Sequence, residues 1–191
     1  MGLFDMFASK TINQFGNTVK QTVRNAGNKT EKIVFNSLPE NYEQFISLPQ
    51  ASMSTPFQTA AMTVVALCLY PKNSEQSLKM LDFLRGPRPL NGADKQFIAD
   101  RFRTRDYVPR SYFVGATPAN DYNTFAPYTI EISENQYSYE ENGLAKLFIK
   151  SGGADSPRPI KLRNAKDGKW YLWEQFLLTD IRQPESSNPW A

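Results

Sequence analysis

Histidine is missing from this 191-residue chain, and with it go Ser-His-Asp and Cys-His nucleophile arrangements, HExxH zinc sites and imidazole proton shuttles. Any catalysis would have to use carboxylates, Lys, Tyr or a bound cofactor. Cysteine is nearly as scarce. Cys68 stands alone, so neither an intrachain disulfide nor a CxxC site can form, and its setting, MTVVALCLY, marks it as a small buried hydrophobe rather than a reactive thiol. No apolar run reaches the roughly eighteen residues of a membrane span, and the richest segment, Ala60 to Tyr70, reads as a buried helix. The N-terminus lacks the basic, apolar and small-residue regions of a secretory signal, which makes the cytoplasm the expected compartment. Met6 occupies the position where an N-myristoylation motif requires Ser or Thr. Neither a metal-ligand cluster nor a cofactor fingerprint is present, so no metal and no cofactor are expected.

What is abundant is aromatic: thirteen Phe, nine Tyr and three Trp within a 40% hydrophobic composition suffice for a substantial core. Charge is spread unevenly. Residues 1–32 carry Lys10, Lys20, Arg24, Lys29 and Lys32 against Asp5 and Glu31, a net +3 that equals the formal charge of the whole chain, so the remainder balances to zero. A neutral body is not the basic field of a bulk nucleic-acid binder, and nucleic acid is not an expected partner.

In that basic N-terminal stretch, Leu3, Phe4, Phe7, Ile12, Phe15, Val19 and Val23 recur at steps of three and four, with Lys10, Lys20 and Arg24 mostly off the stripe. This is the pattern of an amphipathic helix. Gly16 weakens its middle by about 1 kcal/mol relative to Ala, so the helix needs a surface to form. Gly27 to Thr30 read as its end and a linker, giving two regions: a basic amphipathic helix and linker over 1–32 and one domain over 33–191.

The domain opens with helical grammar. Residues 39–47 predict a short helix entered through Pro39. Thr55, Pro56 and Gln58 form a capping box that starts a helix running to Tyr70. Asn73 caps a further helix, ended by Arg85-Gly86-Pro87, and Asn91 another with Phe97, Ile98 and Phe102 on its buried face. Beyond Val108 the grammar turns to strands. Ser111–Val114 and Tyr128–Ser133 are candidates, and residues 143–178 read as three consecutive strands. The last, Trp170 to Leu178, is apolar on both faces and is expected at the sheet's centre, joined to Ile160–Arg163 by a type I′ turn at Asp167-Gly168. Helices before strands predict an α+β fold, with N-terminal helices packed on a mostly antiparallel C-terminal sheet.

Residues 38–191, through LPQASMSTPFQTAAMTVVALCLY, MLDFLRGPRPLNGADKQFIADRF, PRSYFVGATPANDY, AKLFIKSGGADSPRPIKLR and WYLWEQFLLTDIRQP, closely resemble an uncharacterised domain family common in Firmicutes. The resemblance implies a boundary near residues 33–38 and a bacterial cytosolic origin, and supplies no catalytic residue or ligand. Separately, the opening MGLFDMF resembles the start of the membrane-binding helix of the phage shock protein A family.

Two candidate sites emerge. The N-terminal stripe and its basic residues suit an anionic membrane, at the inner face of the bilayer, or a protein partner; equally, the stripe over residues 1–25 could pack on its own domain or on a second copy. The loop Ser151, Gly152, Gly153, Asp155, Ser156 and Arg158 has the glycines, hydroxyls and guanidinium that can cradle an anion, although a structural connection explains it as well. A non-enzymatic binding or adaptor module is therefore the expected function. The alternative is an enzyme or small-ligand domain using carboxylates or a cofactor in a sheet-lined pocket, with Glu174 the carboxylate in the most unusual sequence setting.

Overall fold

The computed structural model describes residues 29–190. The stripe Leu3 to Arg24 lies outside the described residues. Five strands, β1 (Thr30–Phe35), β2 (Tyr128–Ser133), β3 (Leu144–Ile149), β4 (Arg158–Asn164) and β5 (Trp170–Gln175), form one antiparallel sheet in the order β1-β2-β3-β4-β5. Four helices, α1 (Tyr42–Ile46), α2 (Pro56–Leu69), α3 (Ser74–Arg85) and α4 (Gly92–Phe102), are all inserted between β1 and β2. The fold is α+β, with the sheet opening before the helices: Thr30, read as linker from sequence, is already paired with Ser133.

Helix α2 organises the interior. Its box is complete, with the Thr55 hydroxyl accepting from the Gln58 amide and Gln58 Oε1 accepting from the Thr55 amide, each at 3.3 Å. Almost every side chain of the helix is buried, and it touches all five strands on one side and α3 on another. That accounts for its weak amphipathicity, since a helix covered on all sides has no face to keep polar. Its buried hydroxyls are paired: Thr59 donates to the Trp170 carbonyl at 2.5 Å and Thr63 to the Thr59 carbonyl at 2.8 Å, while Ser77 of α3 donates to the Ala66 carbonyl at 2.7 Å. The sheet gives α2 its inner face, where Ile130, Ile132, Ala145, Leu147, Ile149, Ile160 and Leu162 are fully buried. The alternation read from sequence in β2, β3 and β4 is thus the division between core and outer face.

Several expectations are corrected. The first helix starts not at Pro39 but after Asn41, whose side chain accepts from the Gln44 amide at 2.9 Å. The strand expected at Ser111–Val114 is replaced by the end of a 3-10 helix, Val108–Tyr112, where the Ser111 hydroxyl donates to the Val108 carbonyl at 2.7 Å, and Phe113 makes an isolated bridge to Ile130. Phe97 is 41% exposed, leaving Ile98 and Phe102 as the buried face of α4. The β4-β5 connection is not a two-residue I′ turn: Gly168 takes φ +81° but Asp167 does not, and the loop closes through the Ala165 amide on the Lys169 carbonyl and the Gly168 amide on the Ala165 carbonyl. Finally, β5 is the edge of the sheet and not its centre. Its apolar outer side is covered otherwise. Trp173 lies against the guanidinium groups of Arg88 and Arg163, at 4.5 and 5.2 Å from its ring centroid, and Trp170 donates its amide to the Met53 carbonyl at 2.9 Å, which blunts that end of the edge.

Candidate functional site

The loop 151–158 comes together as a lock between sheet and C-terminal segment. Ser151 is buried and its hydroxyl bonds that of Ser111 at 2.8 Å. The Gly152 amide donates to the Ser111 carbonyl at 2.9 Å and the Gly153 amide to the Ser151 hydroxyl at 3.1 Å. Arg158 donates to the carbonyls of Thr179, Asp180 and Ser156, and Asp155 pairs with Arg182 rather than with Arg158. Ser156 accepts from Arg158 at 3.3 Å. The donors that would hold an anion are therefore engaged within the chain, and the two glycines are there for close approach: a Cβ on Gly152 would sit 1.7 Å from the Ala116 carbonyl oxygen.

A groove of about 400 Å³ runs beside β5, between Trp173 to Phe176 on one wall and Arg85, Arg88, Leu90 and α4 on the other. It contains two carboxylates, each held by a cation: Asp94 by Arg85 at 3.5 Å and Glu174 by Lys161 at 3.1 Å. Glu174, singled out from sequence, is an exposed member of a surface ion pair. A second groove borders the exposed part of Cys68, whose thiol burial pushes up to about 12, so at neutral pH it carries no thiolate. Burial, followed by the hydrogen bond to Glu134 at 2.6 Å, also raises Tyr139 above the ordinary phenol value. Among the described residues no group of His, Cys, Asp and Glu could hold a metal, and no helix is long and apolar enough to cross a membrane.

The outer face of the sheet is the third feature. Register places Lys32 opposite Glu131, Thr30 opposite Ser133, Phe148 opposite Pro159, Lys146 opposite Lys161 and Leu144 opposite Arg163. Glu131 is shared by Lys32 and Lys150 at 3.8 and 3.7 Å. One step further towards the start of β2, Val34 pairs with Thr129, whose carbonyl accepts the Val114 amide at 2.8 Å. At this corner two lysines face one carboxylate. At the diagonal corner, Lys146 and Lys161 line a depression together with Glu140 and Glu141, and the charges balance.

Against known families, residues 37–185 match the model of a domain of unknown function, DUF6935. The chain belongs to this family. The DUF6935 match spans α1 to the end of the sheet and stops at the segment that Arg158 and Tyr122 anchor, but leaves β1 outside although β1 completes the sheet. No curated protein and no solved structure matches the chain. Within this DUF6935 chain the features missed from sequence are the outer corner and the Arg88–Trp173–Arg163 stack. The first has a signal, the alternation of Glu31, Ile33 and Phe35 against Lys32 and Val34, which a boundary between residues 32 and 33 cuts in two. The second has none, because Arg88 and Trp173 are far apart in the chain.

Proposed function

We propose that the chain is a non-catalytic binding module held at an anionic membrane surface by residues 1–28. The observation that carries this is the placement of charge beside an apolar stripe: residues 1–28 hold Lys10, Lys20 and Arg24 against Asp5 alone, a net +2, alongside the periodic Leu3, Phe4, Phe7, Ile12, Phe15, Val19 and Val23. Supporting it, among the described residues the helical cover of the sheet's inner face is supplied by α1 to α3. The donors of loop 151–158 are engaged within the chain and each carboxylate of the β5 groove has a cation beside it, an arrangement that favours binding over catalysis. Small-ligand binding in the β5 groove is the second reading, carried by its volume and its Trp173 wall. Co-sedimentation with phosphatidylglycerol vesicles tests the first: the intact chain pellets, pure phosphatidylcholine retains little, and Phe7→Glu/Phe15→Glu releases it. An intact chain that stays in the supernatant with anionic vesicles refutes the tether.

A further inference from the structure

Three of the exposed large apolar side chains lie at one end of the sheet. Val34 is 46%, Val114 51% and Phe125 87% exposed. Val34 and Val114 flank Thr129 on the outer face, and Phe125 sits on the loop that delivers the chain to Tyr128, the first residue of β2, at the same end of the sheet. Beside them are the exposed ammonium groups of Lys32 and Lys150, with Glu131 between the two. From Val114 to Pro127 the only charged residue is Asp121, and its carboxylate accepts from the Ser186 hydroxyl at 2.8 Å. Exposed apolar tips with cations immediately behind them are the arrangement of a surface that dips into the headgroup boundary, its lysines at the phosphates.

We propose that this corner, Val34, Val114 and Phe125 with Lys32 and Lys150, is a second contact with an anionic phospholipid bilayer. It rests on the reading that residues 1–28 bring the chain to such a surface, and it adds the orientation: the outer sheet face lies towards the lipid, and the β5 groove lies at the opposite edge of the sheet from β1, open for a partner. Thr30, where the tether joins, and Val34 share the outer face of β1 but stand towards its opposite ends, about 13 Å apart at the rise of a strand, so tether and corner approach the lipid from the same face. Two binding elements so linked reinforce one another.

The test uses the full-length chain and vesicles with and without phosphatidylglycerol. Phe125→Ser lowers the partition coefficient roughly tenfold, and Lys32→Gln or Lys150→Gln lowers it about fivefold each on anionic vesicles only. All three positions are exposed, so far-UV circular dichroism stays unchanged. The indole introduced by Phe125→Trp shifts its emission to the blue on binding, read as the difference from the chain's own tryptophans. If the intact chain pellets but Phe125→Ser binds equally well and the introduced indole does not shift, the corner proposal is overturned while the tether stands. Absence of pelleting by the intact chain overturns both. A dimer in analytical ultracentrifugation that Phe125→Ser converts to monomer, with unchanged vesicle partition, overturns the corner in favour of contact between copies.

Discussion

Replacing Gly152 by Ala separates the two readings of loop 151–158. The added Cβ would lie 1.7 Å from the Ala116 carbonyl oxygen and 2.9 Å from its carbon, both backbone atoms. Neither side can yield by a rotamer change. The Ala116 segment is tied by its own amide to the Phe113 carbonyl at 3.0 Å, and Gly152 by its amide to the Ser111 carbonyl at 2.9 Å. Overpacking of this kind costs about 1 to 3 kcal/mol. Pulling the strands of chain apart also strains or breaks the Gly152 and Ser151 hydrogen bonds, at about 1 kcal/mol each. The expected loss is therefore about 3 to 5 kcal/mol by these two terms. Gly168→Ala is the comparison. Its Cβ meets nothing within 4 Å, and only the φ of +81° opposes it, a penalty of about 1 to 2 kcal/mol. In urea, with a slope of about 2 kcal/mol per molar, Gly152→Ala lowers the midpoint by roughly 1.5 M or more and Gly168→Ala by about half as much. Millimolar phosphate should raise neither the wild-type midpoint nor that of the variant. Equal midpoints for the two variants, or phosphate protection seen in wild type and lost in Gly152→Ala, would refute the packing argument and restore the anion cradle.

The neighbouring residues Leu172 and Trp173 should respond in the reverse of their size: Leu172, 4% exposed in the core, loses about 2 to 5 kcal/mol on change to Ala, whereas Trp173→Ala, which removes a ring stacked on Arg88 and Arg163 at the sheet edge, loses about 1 to 2 kcal/mol. Denaturation midpoints in which Trp173→Ala is the worse of the two would place that ring in the core after all. Alkaline pH gives a further check. Burial raises Cys68 from 9.0 and Tyr122 from 10.0, each to about 12, so the folded chain keeps protons that the unfolded chain releases; stability is full below about pH 9 and falls as pH climbs towards 12. A urea midpoint that stays level across that window contradicts the burial of these groups.

Local chemistry, where it suffices, was legible in the residues. Thr55, Asn73 and Asn91 cap their helices because a side-chain oxygen beside orphan amides acts over three residues, and Ala145, Leu147 and Ile149 fall on one face because a strand has period two whatever surrounds it. Strand order obeyed no such local rule. The run from Trp170 reads as central because it is apolar on both sides, yet cover from Arg163 of β4 and from Arg88, which the helical insertion brings to the sheet edge, serves as well as a neighbouring strand. Likewise the glycines of loop 151–158 carry the composition of an anion cradle, and only the approach of Ser111 and Ala116, some forty residues earlier in the chain, determines that their amides are engaged. The corner of Val34, Val114 and Phe125 is assembled from three separated segments whose nearness depends on β1 crossing to β2 over the whole helical insertion. Spacing along the chain determines which face a side chain takes; what stands opposite that face is settled by contacts between distant segments, which only the tertiary structure brings about.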